Sequence, residues 1–133
     1  MTEINSEHVD IQKPAKEIFI FLSDFNNFEK LMPEQVVNWK STNDTCSFTI
    51  KGMATLGMRH QSMVEHSEIN LVSDGSAPFS FTLSCLLDDK GNNTDAQMKL
   101  NADLNPMLKM MAKKPLQNFV NLLVKKLKEV MEG

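Results

Sequence analysis

His60 is the side chain in this sequence that is best suited to acid–base or binding chemistry, because an imidazole gains and loses a proton near neutral pH. It alternates with Met58 and Ser62 inside a segment of period two, Met53 to His66. In that phase His60 points inward, where it could anchor a ligand carboxylate or act as a general acid or base. A bulge at Gly57 would reverse the phase, so the sequence leaves the direction of His60 open.

Few other side chains could share that chemistry. Arg59 is the only arginine, and strict alternation directs it away from His60. Cys46 and Cys85 lie in apolar alternating runs without a CxxC or clustered His/Cys spacing, which favours buried free thiols over a disulfide or metal site. The sequence shows no nucleophile–base pair with an orienting group, no Gly-rich phosphate loop and no metal-ligand spacing. We therefore expect no cofactor and no metal, and we favour a non-catalytic role while leaving catalysis open.

Length and charge narrow the class of protein. A chain of 133 residues is expected to form one domain, residues 1–133, that buries about two-thirds of its unfolded surface. A net charge of −3 with a single arginine gives little support to nucleic-acid binding. No charge-free run approaches the length of a membrane span, and the first residues are polar and acidic. We therefore expect a cytoplasmic protein with no transmembrane segment.

The last quarter of the chain predicts a long amphipathic helix. Apolar residues recur at spacings of three and four from Pro106 to Met131, which is the period of one helical face. The other side carries six lysines and is either solvated or available for a transient contact with a membrane surface or a protein. Proline suits the first turn at position 106, but Pro115 removes an internal hydrogen bond. We expect a kink or short break near residues 111 to 115.

Residues 35–104 change to a period of two, which predicts strands. The clearest are Phe79 to Leu87 and residues 96–104, joined by a polar turn as an antiparallel hairpin. Earlier, Glu3 to Ile11 is typical of a strand, and two short helices follow between Pro14 and Met32. The predicted order is therefore one strand, two short helices, six strands and a long helix.

The opening segment HVDIQKPAKEIFIFLSDFNNFEKLMP resembles the start of the START/birch-pollen-allergen-like (SRPBCC) superfamily, which includes polyketide cyclase/dehydrase and lipid-transport members. The matching positions are Ile11, Pro14-Ala15, Ile18-Phe19, Asp24, Phe28 and Pro33. Leu31-Met32 stands where the family often carries a tryptophan. The resemblance implies an α+β helix-grip fold, in which a seven-stranded antiparallel sheet wraps around a long C-terminal helix and two short helices follow the first strand. It also implies a cavity between the sheet and that helix.

The inward positions of the strands and the long helix predict what lines this cavity. They are Phe48, Ile50, Met58, His60, Phe81, Leu83, Cys85, Met98, Leu100, Leu108, Met111 and Phe119. Seven methionines are expected at the cavity or its mouth, namely Met53, Met58, Met63, Met98, Met107, Met110 and Met111. Such a lining is apolar and adaptable in shape, although the same residues could simply fill a core.

This lining favours binding or transport of an apolar small molecule, such as a lipid, an isoprenoid or a polyketide-like compound. One alternative is a polyketide cyclase/dehydrase-like enzyme with His60 as the acid or base. A second alternative is a protein-interaction or co-chaperone-like module, since relatives resembling heat-shock-protein activators use the same fold. The polarity of the cavity separates carrier from enzyme, because acid–base catalysis needs converging ionisable groups. The sequence leaves the oligomeric state unknown.

Overall fold

The segment of period two forms an antiparallel sheet, and the segment with spacings of three and four forms one long helix. The structure, a computed structural model, describes residues 2–75 and 77–133. Within them the elements are β1 Thr2–Asn5, β2 Val9–Ile11, α1 Ala15–Leu22, α2 Phe25–Phe28 with a 3₁₀ turn Glu29–Leu31, β3 Val36–Ser41, β4 Thr45–Ile50, β5 Ala54–Val64, β6 Glu68–Ser73, β7 Phe81–Asp89, β8 Thr94–Ala102 and α3 Pro106–Glu132. The predicted order of elements is confirmed.

The sheet runs in the order β1-β8-β7-β6-β5-β4-β3, and β2 also pairs with β8. The predicted hairpin is the pair β7 and β8, in register from Phe81 opposite Ala102 to Asp89 opposite Thr94. Its turn is closed by the Lys90 N–H, which donates to the carbonyl of Asn93 at 2.8 Å. Alternate residues of both strands are buried on one face, as period two requires.

The first strand departs from the prediction because it is divided into β1 and β2. Between them Ser6 is buried, and its hydroxyl accepts a hydrogen bond from the Met98 N–H at 2.8 Å. The Ser6 N–H in turn donates to the Met98 carbonyl at 2.8 Å. The side chain therefore satisfies a β8 donor at the point where the ladder is interrupted. Both pieces lie at the same side of β8, so seven strand positions across the sheet are retained.

Helix α3 packs its apolar stripe across the sheet. Its buried residues are Ala112, Leu116, Phe119, Val120, Leu123, Val124 and Leu127, and it contacts β1, β2, β8 and the 3₁₀ turn. Asn105 caps the start, where its side-chain oxygen accepts from the Leu108 N–H at 2.9 Å. Among the helices of the described ranges, none combines the length and the apolar character needed to cross a membrane.

Of the predicted kink or short break near residues 111 to 115, the break is wrong, because α3 runs without interruption from Pro106 to Glu132. Pro115 still removes the hydrogen bond that its N–H would donate to the Met111 carbonyl. Both residues are exposed, so water can satisfy that carbonyl. The loss of one bond on the solvent side is compatible with a continuous helix.

Candidate functional site

Most of the predicted cavity residues from the strands form a closed core. Seven of them keep only 1–3% of their surface exposed: Phe48, Met58, Phe81, Leu83, Cys85, Met98 and Leu100. All seven belong to the hydrophobic core cluster of the described residues, where side chains pack closely. Their role in contacting a ligand stays a prediction.

The start of α3 does not supply the inward residues that the sequence predicted. Met111 is 67% exposed, and Leu108 is only half-buried. The helix phase explains the difference, because Ala112 and Leu116 take the core-facing positions and Met111 lies to one side of them. Met107 and Met110 are exposed as well, so the methionines of this segment face away from the core.

Open space lies at one end of the sheet–helix interface. A cleft of about 170 Å³ is lined by Pro33, Gln35, Ile50, Lys51, Pro115, Asn118, Phe119 and Leu122. Ile50 and Phe119 belong to the predicted lining, and the other six residues were missed. Three chain segments therefore meet here: the approach to β3, the end of β4 and the middle of α3.

Local structure explains why these segments meet. Val36 pairs with Ile50, and the Lys51 N–H donates to the Gln35 carbonyl at 2.8 Å, which fixes the two strand ends side by side. The helix residues stand at positions 115, 118, 119 and 122, a spacing of three, four and seven that places them on one helical face. Leu122 is 37% exposed and lies off the main apolar stripe. A leucine placed off the apolar stripe was the signal in the sequence that could have indicated the cleft.

The cleft has an apolar floor and a polar rim. Ile50 and Phe119 are buried at its base, whereas Gln35, Lys51 and Asn118 contribute the polar groups. Among the lining residues that the structure describes, Lys51 alone carries a charge. The arrangement can hold an apolar group and place a cation beside one end of it.

Three stacked rings connect the cleft to the edge of the sheet. Phe119 stacks on Phe48 at 5.8 Å between centroids, and Phe48 stacks on Trp39 at 5.5 Å, both at an interplanar angle of 22°. The Trp39 Nε1–H donates to the Ser41 hydroxyl at 2.9 Å. We call Trp39, Phe48 and Phe119 the aromatic stack. Because Trp39 is the only tryptophan, its fluorescence reports on this region.

His60 lies away from the cleft. Its ring stacks on Phe25 of α2, with centroids 4.7 Å apart and an interplanar angle of 16°. Its Nε2 is buried and has no hydrogen-bond partner in residues 2–75 and 77–133. Desolvation lowers the pKa of His60, and the charges of Asp44 and Asp24 oppose that shift. The geometry favours a neutral imidazole held by ring packing.

The expected setting of His60 is corrected in two respects. The register irregularity of β5 against β6 falls between His60 and Ser62, and not at Gly57. Ser62 is exposed and its hydroxyl accepts from the Asn70 side chain at 3.0 Å, so it does not stand inward beside His60. The extra residue in β5 turns the end of that strand towards solvent.

The other candidate side chains, Arg59, Cys46 and Cys85, do not line the cleft. Arg59 is exposed, with its Nε 3.8 Å from a carboxylate oxygen of Asp74. Cys46 and Cys85 are buried free thiols, as predicted, and burial raises the pKa of each to about 12. Such thiols are not nucleophiles at neutral pH. The described part of the chain contains no group of three or more His, Cys, Asp or Glu side chains that could hold a metal ion.

Comparison with known proteins rests on structure. No protein-family model matches the chain, and no curated protein sequence does. Several solved structures are similar to this chain in fold. A START superfamily protein from Mycobacterium smegmatis has a TM-score of 0.70 at 16% identity over 98% of this chain and 97% of the other. The Aha1 dimer from Colwellia psychrerythraea has a TM-score of 0.72 at 15% identity, with coverage of 99% and 97%.

A third similar structure is a protein from Thermus thermophilus, with a TM-score of 0.77 at 14% identity and coverage of 98% and 97%. Identities at this level establish the fold and not the activity. The fold they share with this chain is an antiparallel sheet gripping a long C-terminal helix, with short helices near the start. The chain therefore has the α+β helix-grip fold of START-like proteins, and the resemblance read from its opening residues is confirmed at the level of fold.

Proposed function

We propose that this protein binds an apolar small molecule at the cleft between α3 and the β3–β4 end of the sheet. The observation that carries the proposal is the 170 Å³ cleft itself, with Ile50 and Phe119 at its base and Leu122 on its wall. Burying apolar ligand surface there supplies the binding free energy, at roughly 25 cal/mol per Å² before the costs of association.

The chemistry of the lining favours binding over acid–base catalysis. A general acid or base needs an ionisable group at the reacting atoms and a partner that tunes its pKa. The charged group described at the cleft is Lys51, and His60 stacks on Phe25 elsewhere. An ammonium group beside an apolar floor suits an amphipathic ligand, with its apolar end on Phe119 and an anionic end near Lys51.

The volume sets the size of the group that enters. A cavity of roughly 150 Å³ lined by apolar side chains accepts benzene, so the observed cleft suits one ring or the end of an alkyl chain. A lipid-sized ligand needs more room, since drug-sized ligands occupy pockets of about 300–1,000 Å³. That room would come from displacement of the first turns of α3, where Pro115 already weakens the hydrogen-bond ladder.

A paired titration tests the proposal. Octanoate and octanol are titrated against the protein while Trp39 emission is recorded, because the aromatic stack links that ring to Phe119. We expect both ligands to bind and to change the emission. Leu122→Gln should weaken both by about 10-fold, because it removes an apolar wall. Lys51→Gln should weaken octanoate alone, by about 2–5-fold, since an exposed ion pair contributes little.

Matched variants elsewhere serve as controls. Ile20→Gln changes an apolar side chain that is exposed on α1, and Lys40→Gln removes an exposed lysine from β3. Neither should alter either affinity. Equal losses in Leu122→Gln and Ile20→Gln, or no binding of either ligand, would reject the cleft as the site. A loss confined to His60→Ala would instead place binding beneath α2.

A further inference from the structure

The start of α3 exposes an unusual amount of apolar surface. Met107, Met110 and Met111 are 72%, 88% and 67% exposed. They stand at spacings of three and four, so they share one helical face, and Lys114 at the seventh position extends it. Eight residues span about 12 Å of helix. This face lies opposite Ala112, which is buried against the core.

Lysines accompany the methionines in this segment, and they differ from the other lysines of α3. Lys125, Lys126 and Lys128 each lie within 4 Å of a glutamate carboxylate: their partners are Glu7, Glu129 and Glu132. Lys109, Lys113 and Lys114 have no carboxylate partner within the described ranges 2–75 and 77–133. Three lysines without a described carboxylate partner therefore accompany three exposed methionines: Lys114 lies among them, and Lys109 and Lys113 lie along one flank of the methionine face. We call these six residues the Met/Lys surface.

The shape of the Met/Lys surface limits its partner. The shallow depression on its lysine-bearing side is lined by Pro106, Lys109, Met110, Lys113, Lys114, Gln117 and Asn118, all of which belong to α3. A surface built from one helix alone is convex and offers no walled pocket for an anchoring side chain of a protein partner, which is where binding energy concentrates in protein interfaces. Convex amphipathic helices are suited to a deformable surface.

The positive charge of the Met/Lys surface distinguishes between two possible partners, a second copy of the chain and a lipid surface. A second copy of the chain that met this face symmetrically would bring three uncompensated lysines against three more, which is unfavourable. An anionic lipid surface complements them. Long lysine side chains reach the head groups while flexible methionine side chains enter the boundary with the acyl chains.

We infer that the Met/Lys surface docks the protein reversibly on anionic membranes, with α3 lying in the plane of the head groups. This inference goes beyond small-molecule binding and holds whether or not the cleft is occupied. Three methionines and three lysines supply two kinds of attraction, apolar burial and electrostatics, and stable association of peripheral proteins needs such a combination. Docking is therefore weaker at high ionic strength.

Vesicle flotation with the ligand-free full chain tests the inference. One set of vesicles is phosphatidylcholine alone, and the other contains equal amounts of phosphatidylcholine and phosphatidylglycerol. We expect binding to the anionic set, a decrease with added salt and much weaker binding to the neutral set. Replacing Lys109, Lys113 and Lys114 by Gln should lower the partition coefficient by about 100-fold, since each lysine near an anionic surface contributes about 5-fold.

The helix itself offers a matched control. Replacing Lys125, Lys126 and Lys128 by Gln removes the same charge from the same helix but leaves the Met/Lys surface intact, and partitioning should stay within about 3-fold of the parent because those lysines are already paired. Replacing Met107, Met110 and Met111 by Gln should reduce partitioning by about 10-fold or more at unchanged charge. Far-UV circular dichroism checks that each variant keeps its helix content.

Four outcomes would overturn the inference. They are absence of binding to the anionic vesicles, equal binding to the neutral vesicles, equal losses in the two lysine variants, and no loss in the methionine variant. Binding to polyglutamate without binding to vesicles would assign the surface to an acidic protein instead. A dimer that disappears in the methionine variant, measured by light scattering, together with no vesicle binding, would assign it to a second copy.

Discussion

Phe48 is the middle ring of the aromatic stack, and we predict that its ring contributes stability beyond its apolar area. It is 1% exposed and stacks on both Trp39 and Phe119. Each aromatic pair contributes about 0.5–1.5 kcal/mol beyond burial. Phe48→Leu keeps an apolar side chain but loses two pairs, so it should cost about 1–3 kcal/mol. Phe48→Ala also leaves a cavity and should cost about 3–5 kcal/mol.

Urea unfolding followed by far-UV circular dichroism measures these losses. Fluorescence is unsuitable here, because changing Phe48 alters the surroundings of Trp39 directly. The dependence of the unfolding free energy on urea should keep its slope, which indicates that the folded and denatured states remain comparable. For 133 residues, 1 kcal/mol corresponds to about 4 °C in Tm. Phe48→Leu should therefore lower Tm by about 4–12 °C.

A double-mutant cycle isolates the contact between sheet and helix. Phe48→Leu and Phe119→Leu should couple by about 0.5–1.5 kcal/mol, because together they remove one shared ring pair. Phe25 is the matched control, since its ring partners are Phe28 and His60. Phe25→Leu combined with Phe119→Leu should be additive within about 0.5 kcal/mol. Coupling for Phe48 no larger than that for Phe25 would refute a specific contribution of the stack.

Three further predictions concern backbone and protonation. Gly57→Ala should destabilise the fold by about 1–3 kcal/mol, because an added Cβ would overlap the carbonyl oxygen of Asp74; unchanged urea stability would contradict this. The lowered pKa of His60 means that the unfolded chain binds the extra proton, so this group costs stability as pH falls below about 6.5. His60→Gln should reduce that slope, and an NMR titration giving a pKa at or above the ordinary value would refute it. Amides of Leu108–Ala112 should exchange faster than those of Phe119–Leu127, because the first turns of α3 are more exposed; uniform protection would argue against this difference.

The fold followed from sequence wherever one physical effect dominated. The alternation of β7 and β8 and the three-to-four spacing of α3 reflect burial of one face, which is a local pattern. The division of the first strand did not follow, because the Ser6 hydroxyl matters only when Met98 stands opposite it. Continuity of α3 at Pro115 was missed as well, because it depends on which side of the helix meets water.

The candidate site was less accessible to sequence reasoning. Strand and helix periodicity predicted Ile50 and Phe119, but the cleft is also lined by Gln35 and Leu122, which come from distant segments of the chain. The prediction that Met111 points inward failed because of the helix phase alone, since a shift of one position moves a side chain by about 100° around the axis. The bulge after His60 has no composition signal.

The pairing of β1 and β2 with β8 also sets the order in which the chain can fold. Ser6 and Met98 are 92 residues apart, and loop closure on that scale makes folding slow compared with local hairpins. During synthesis at about 5–20 residues per second, the first strand waits about 5–20 s for its partner. Throughout that interval Ile4 and Ile11, both fully enclosed in the finished protein, stay uncovered on the nascent chain. A chain that ends before Thr94 lacks β8, so β1 and β2 have no strand to pair with and cannot join the sheet.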